Sequence, residues 1–314
     1  MNSVAIVGAG AWGTALALQA YRAGCATTLW RRTPWLGRMS PHLPGHSLPD
    51  AITLTDALPG PGFDVIVLAV PVQHMRAVAA RIELPRALLT VSKGLEAGTH
   101  RLPLEILDQL HPGVPSAVLT GPNFAHEVAA GLPAAAVIAG SDPGLRARLA
   151  ALLATPGFRL YGNDDPLGAQ LGGAAKNVIA IAAGAVTGAG LGENARAALI
   201  TRGLAELARL VAALGGRAET VSGLSGLGDL LLTCTGPASR NFRCGLALGR
   251  GEALTDALAH SAGVIEGVAT APALVARAAG VELPVCAAVA ELLAGRTRLR
   301  DAIAALMARP QKDE

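Results

Sequence analysis

Through the first half of the chain, short runs of β-branched and apolar residues alternate with helical patterns, and near the middle the short runs stop. Ser3–Val7, Ala26–Trp30, 63–70, 88–91, 117–119, Ala134–Ala139 and 159–161 read as strands, with a shorter one at 52–54. Residues 14–22, 72–82 and Pro143–Leu153 place their apolar side chains at helical spacing. Such alternation predicts an α/β domain built on a doubly wound, mostly parallel sheet. From about Asp165 only helical patterns remain, most plainly at 170–189, 195–214, 253–259, 264–279 and 285–293. The expected organisation is an α/β N-terminal domain over 1–164 and an all-α C-terminal domain over 165–314, with the boundary in Gly162-Asn163-Asp164-Asp165-Pro166.

The stretch 170–189 is long and apolar enough to suggest a bilayer span, but Lys176 and Asn177 lie inside it and small residues dominate it. A buried helix of a soluble protein fits better. Composition points the same way. The 314 residues are 51% hydrophobic and only 3% aromatic, so the interior must be packed from Ala, Leu, Val and Gly. A net charge of +3 is too small and too dispersed to argue for nucleic acid or a membrane surface. The four cysteines follow neither a metal-ligand spacing nor a disulfide framework, which suits a reducing cytosol and predicts no metal site. The first apolar run has no basic region before it and is broken by Gly8, Gly10 and Gly13, unlike a signal peptide.

The first strand runs into Gly8-Ala9-Gly10-Ala11-Trp12-Gly13 and then a helix. Strand, glycine turn and helix in that order are the dinucleotide fingerprint of a Rossmann domain. Gly8 makes the tight turn, Gly10 admits the pyrophosphate and Gly13 lets helix and strand pack closely, while free helix amides face the phosphates. A glycine-rich packing turn is the bland alternative. The second strand ends in Arg31-Arg32, where NAD-specific sites carry an acid for the ribose 2′-hydroxyl. Arginine accommodates a 2′-phosphate, so NADP(H) is favoured and NAD(H) tolerated, unless the two are only solvated surface residues. Ser92-Lys93-Gly94 and Thr120-Gly121-Pro122-Asn123-Phe124 fall just past C-terminal strand ends, the edge at which open α/β sheets bind ligands.

In the helical half, Lys176 is the single charge of its stretch. Enclosure there removes solvation, which favours the neutral amine and suits a lysine to proton transfer; a head that snorkels to water is the alternative. Of 26 cationic residues only Lys93, Lys176 and Lys312 are lysines, and a compact amine is what arginine cannot supply. Gly223-Leu224-Ser225-Gly226-Leu227-Gly228-Asp229 presents a lone acid, either a helix cap or a carboxylate directed at Lys176. Ser239-Arg240-Asn241-Phe242-Arg243 offers a hydroxyl, a guanidinium and an amide together, a set suited to a phosphate or else to a solvated loop. Glu266 follows Gly263-Val264-Ile265 in the first turn of a helix, where an acid also favours the macrodipole.

Taken together, GAGAWGTALA, VSKGLE, TGPNFA, LGGAAKNVIAI, GLSGLGDLLLTCT, SRNFRCG and VIEG resemble, in order and across both halves, the NAD(P)-dependent sn-glycerol-3-phosphate dehydrogenase family of bacteria. The resemblance implies reversible reduction of dihydroxyacetone phosphate to sn-glycerol 3-phosphate, the entry to glycerophospholipid synthesis, in a cytoplasmic homodimer. It makes Lys176 the acid/base on the C2 oxygen, completed by Lys93 and Asp229, with Thr233 lining the site. Substrate contacts fall on Lys93, Gly121, Asn123, Lys176, Asp229, Ser239, Arg240 and Asn241. Cofactor contacts fall on Gly8, Gly10, Ala11, Trp12, Gly13, Arg31, Arg32, Lys93, Ala125, Arg240, Val264 and Glu266. Position 123 is Asn where the family usually has Ser or Thr, and the segment 33–42 is shorter than usual, leaving little room for the second Rossmann helix.

Two other readings compete. A β-hydroxyacid dehydrogenase shares a Rossmann domain and a helical lysine, but the Ser239–Asn241 cluster and the Gly226–Asp229 turn argue against it. A non-catalytic NADP(H)-sensing module would leave Lys93, Lys176 and Asp229 idle together.

Overall fold

The computed structural model describes residues 2–261, 263–278 and 280–308; Ala279, the expected end of one helix, and Lys312 lie outside the described residues. The chain forms two compact units, Met1–Lys93 with Arg101–Gln170, and Gly94–His100 with Leu171–Glu314.

In the first unit, β1 (Ser3–Val7), β2 (Ala26–Trp30), β3 (Thr53–Thr55), β4 (Val65–Leu68), β5 (Leu88–Thr90), β6 (Ser116–Thr120), β7 (Ala134–Ala139) and β8 (Phe158–Asn163) form an eight-stranded sheet. Their order is β3-β2-β1-β4-β5-β6-β7-β8, parallel throughout except between β6 and β7. This is the mostly parallel, doubly wound sheet that the strand–helix alternation predicts. β1 pairs with β2 on one side and β4 on the other, so the winding reverses beside the end of β1.

The strands are apolar on both faces because both faces are covered. Helices α1 (Ala11–Arg22), α2 (Val72–Ala79), α3 (Pro103–Leu110), α4 (Ala125–Ala130) and α5 (Pro143–Leu153) supply the cover. Val4, Ile6, Val65 and Val67 enter one core with α1, α4 and α5; Ala5, Val7, Ile66 and Leu68 enter the other with α2 and α3.

Between β2 and β3 the described residues contain no helix, as the short 33–42 segment predicts. A clamped loop takes its place. Arg38 donates to the carbonyls of Leu48 (3.1 Å), Ile52 (2.6 Å) and Pro49, while Leu43, Leu48 and Ile52 are buried in the core beneath.

The second unit is helical: α6 (Pro166–Gly188, which begins in the first unit), α7 (Gly192–Ala213), α8 (Ala218–Val221), a π-helical turn (Leu224–Gly228), α9 (Asp229–Cys234), α10 (Arg240–Gly249), α11 (Leu254–Ala259), α12 (Glu266–Arg277), α13 (Pro284–Leu293) and α14 (Leu299–Met307). Helix α6 has the length and apolarity of a membrane span, yet 83% of its most apolar window is buried by the protein itself. Its crossing with α10 is closed by glycines from both sides. A Cβ on Gly184 would lie 2.8 Å from Leu246 N, one on Gly188 3.0 Å from Gly249 Cα, one on Gly245 2.9 Å from Ala185 N, and one on Gly249 2.9 Å from Ala189 N. Backbone therefore packs on backbone, the arrangement a core poor in aromatics demands.

Two further ties shape this unit. Glu206 of α7, 2% exposed, accepts from the first-turn amides of α13, Val285 N at 2.7 Å and Cys286 N at 3.3 Å. The segment Gly94–His100 is held by Arg277 Nη1, which donates to the His100 carbonyl at 2.9 Å.

Candidate active site

The glycine turn in the first unit follows from sterics. Gly8 has φ +117°, and a Cβ there would meet Ala69 O at 2.5 Å; a Cβ on Gly13 would meet Gly8 C at 3.0 Å and its carbonyl oxygen closer still. Gly10 instead faces open space, with nothing within 4 Å. It is the N-cap of α1, and no side chain caps the helix, so the first-turn amides, which have no intrahelical partner, are left without a side-chain acceptor. Trp12 packs against the core behind the turn. A pyrophosphate fits this cradle, whose open position would be filled by any side chain at Gly10.

The arginine pair separates into two roles. Arg31 Nη1 donates to the Trp35 carbonyl at 2.7 Å, and its guanidinium carbon lies 4.7 Å from the centre of the Trp35 ring. Arg32 is exposed. Past the C-terminal ends of β5 and β6, Lys93 Nζ donates to the Gly121 carbonyl at 3.2 Å. Asn123 Nδ2 donates to Ala135 O at 3.0 Å, whereas its Oδ1 and the neighbouring Thr120 Oγ1 are buried with no hydrogen-bond partner among the described residues. Ala125 opens α4.

In the second unit, Lys176 is enclosed on α6, 9% exposed. Its ammonium donates to Asp229 Oδ1 at 2.6 Å and to Thr233 Oγ1 at 3.0 Å. The Thr233 hydroxyl gives its own proton to the Asp229 carbonyl at 2.6 Å, so towards Lys176 it is an acceptor. The π-helical turn delivers Asp229: a Cβ on Gly226 would strike the Val221 backbone, and one on Gly172 of α6 would meet Ser225 O at 2.5 Å. Of the two readings of Asp229 the pairing with Lys176 is the one met; Gly228, not Asp229, is the N-cap of α9, and no side chain caps that helix. Burying an ion pair is costly, and this one is retained with a hydroxyl satisfying a second proton of the ammonium. Beside it, burial pushes the Cys234 thiol up to about 12, so it stays protonated and inert.

The Ser239–Asn241 cluster is the start of α10 rather than a loop. Ser239 Oγ accepts from Phe242 N at 3.2 Å as the N-cap. Asn241 is buried; its Nδ2 donates to Asn177 Oδ1 at 2.9 Å and its Oδ1 accepts from Gly267 N at 2.9 Å. Asn177 is a residue the sequence reading left out, although an amide next to Lys176 in an otherwise apolar stretch was a usable signal. Arg240 remains exposed, yet loss of solvation by its surroundings, opposed by the Glu266 carboxylate, draws its pKa below the ordinary guanidinium value; it is still a cation at neutral pH. Val264 is exposed, and Glu266 begins α12.

A nucleotide cradle on a doubly wound sheet, together with a helical unit holding a buried lysine–carboxylate pair, defines a dinucleotide-dependent oxidoreductase. Two family models match, the N-terminus of NAD-dependent glycerol-3-phosphate dehydrogenase over residues 3–145 and its C-terminus over 165–304. The chain belongs to the NAD-dependent glycerol-3-phosphate dehydrogenase family. It is 56% identical over 319 residues to the glycerol-3-phosphate dehydrogenase [NAD(P)+] of Acidiphilium cryptum, covering 99% of this chain and 98% of that one. It is 50% identical to that of Gluconobacter oxydans, with the same shares covered. Among solved structures it resembles glycerol-3-phosphate dehydrogenase from Coxiella burnetii, with a TM-score of 0.93 and 37% identity over 98% of this chain and 99% of that chain.

Proposed function

We propose that the protein is a glycerol-3-phosphate dehydrogenase that interconverts dihydroxyacetone phosphate and sn-glycerol 3-phosphate with NADPH, and with NADH as a tolerated alternative. The observation that carries this reading is the buried Lys176–Asp229–Thr233 group in a chain of this family. An ammonium has three protons; two are directed at Asp229 and Thr233, and the third serves the C2 oxygen of the substrate. As hydride reaches C2, charge grows on that oxygen, and Lys176 stabilises it and then protonates it. The bound nicotinamide nucleotide supplies the hydride. In the reverse direction Lys176 takes the hydroxyl proton.

The remaining residues bind and orient. The first-turn amides of α1 hold the pyrophosphate, Arg32 holds the 2′-phosphate, and Arg31 is braced by Trp35. Arg240 meets phosphate, and Asn241 with Ser239 fixes the helix start that presents it. Lys93, Gly121 and Asn123 contribute substrate contacts at the strand ends; the unpartnered Asn123 Oδ1 supports a role as acceptor from a substrate hydroxyl. Binding energy spent on the phosphate fixes the reacting carbon. Residues 1–164 then act as the nucleotide domain and 165–314 as the catalytic one. A cytoplasmic homodimer that feeds glycerophospholipid synthesis completes the reading, and the four free, buried cysteines suit that compartment.

The test is NADPH oxidation by the purified protein with dihydroxyacetone phosphate, NADH running in parallel. Fast oxidation that disappears when the phosphate-free ketone is supplied supports the assignment. Binding of NADPH without turnover, or equal turnover of a 2-keto acid lacking phosphate, refutes it.

A further inference from the structure

Several glycines of the helical unit are required because a Cβ would strike backbone, as at Gly184, Gly188, Gly245 and Gly249. Gly263 differs. The three nearest atoms that a Cβ would meet there all belong to Arg240: Nη1 inside any permitted contact distance, Cζ at 3.5 Å and Cδ at 4.0 Å. The residue also has φ +156°, outside the range side-chain-bearing residues favour.

We propose that Gly263 is a positioning residue for Arg240: the guanidinium lies in the space that a side chain at 263 would occupy, and that vacancy sets where it meets a phosphate. The proposal rests on the reading of Arg240 as a phosphate contact. Residues on either side of Gly263 complete the cradle. Ser261 Oγ donates to the Gly263 carbonyl at 2.8 Å and pins the loop, and Glu266, three residues on, attracts the guanidinium electrostatically. The other end of Arg240 is fixed by the Ser239 cap at the start of α10. Its side chain is thereby aimed from both ends while remaining exposed to a ligand. Because the clash at 263 is with the tip of a flexible side chain, a methyl group there would swing the guanidinium aside without opening a core.

A double-mutant cycle of Gly263→Ala and Arg240→Ala tests this, read as KM for dihydroxyacetone phosphate, kcat and melting temperature. A charge-assisted bond to phosphate predicts that each single variant raises KM about ten-fold or more. In the Arg240→Ala background, Gly263→Ala should add less than a two-fold further rise, since no guanidinium is left to displace. Arg240→Lys should likewise blunt the effect of Gly263→Ala, because the compact ammonium lacks the plane that the methyl strikes. An unchanged KM for Gly263→Ala beside a raised KM for Arg240→Ala overturns the proposal and leaves the reading of Arg240 intact. Full additivity of the two variants, or a loss of folding by Gly263→Ala that Arg240→Ala does not relieve, assigns the glycine a merely structural role and also overturns it. An unchanged KM for Arg240→Ala removes the phosphate reading and the proposal with it.

Discussion

Replacing Gly184 by alanine tests the link between helix packing and the catalytic group. The added Cβ would sit 2.8 Å from Leu246 N and 2.9 Å from Phe242 C, whereas ordinary contact begins at 3.4 Å. The Phe242 carbonyl oxygen would lie closer still; all three atoms are backbone, so no side chain can swing away, and α6 and α10 must part by more than about 1 Å at that point. Helix α10 also carries Asn241, whose bond to Asn177 is 2.9 Å long; a separation of that size breaks it. Overpacking against backbone costs about 3 kcal/mol, alanine recovers about 1 kcal/mol of helix propensity, and a buried amide left unpaired adds about 1–3 kcal/mol. The expected net loss is about 3–5 kcal/mol, a fall in melting temperature on the order of 10 °C for a unit of this size. Because Asn177 adjoins Lys176, kcat/KM should fall at least ten-fold as well. Differential scanning calorimetry and steady-state kinetics read the two effects. Gly236→Ala, where nothing lies within 4 Å, is the control and should change little. A Gly184→Ala protein that melts within about 2 °C of the parent and keeps its turnover would refute the reasoning.

Lys176→Ala should lower kcat by about 10²–10⁴ with NADPH affinity nearly intact, and adding Asp229→Asn should restore stability lost to the orphaned carboxylate without restoring turnover; near-normal turnover in either variant contradicts the acid/base assignment. Arg32→Asp should shift preference toward NADH, whereas Arg31→Ala should chiefly loosen the Trp35 loop, so equal effects of the two on the NADPH/NADH ratio of kcat/KM would count against the division between them. Burial raises the Glu206 carboxyl above its ordinary 4.5, so the native state holds this proton more tightly than the unfolded chain does. The contribution is complete below about pH 4.5 and is lost as pH rises through the raised native value. Relative to Glu206→Gln, the parent should therefore lose stability over that rise, and a difference that does not vary with pH in chemical denaturation would exclude this role.

Much of this architecture is legible from local pattern. Parallel strands buried on both faces must be continuously apolar, which is why β1, β4 and β7 stand out, and of the glycines after β1 Gly13 is dictated by a local collision with the Gly8 backbone, Gly8 by the remote Ala69. The lysine of α6 was visible as a lone charge in an apolar run, and its acid as a lone carboxylate after a glycine turn. What stayed hidden depends on partners remote in sequence. α3 and α4 span only 8 and 6 residues and escaped the pattern, although α2 and α11, of the same lengths, did not. Ser239–Asn241, read as a phosphate-binding set or else a solvated loop, did not show itself as a helix start because the cap and first turn of a helix are polar by necessity. Nothing local says that Asn241 spends its amide on Asn177 and Gly267, or that Arg38 with three carbonyls can replace a crossover helix.

The segment Gly94–His100 has a practical consequence for anyone wishing to dissect the protein. The backbone leaves the sheet-bearing unit after Lys93, joins the helical one for seven residues, and returns at Arg101. Neither unit is therefore a contiguous gene fragment, and a cut near residue 164 separates the His100 carbonyl from the Arg277 that holds it. A nucleotide-binding half prepared for isotope labelling or antibody production needs that strap replaced by a short glycine-serine linker. A helical half needs it supplied in trans or grafted onto its own N-terminus.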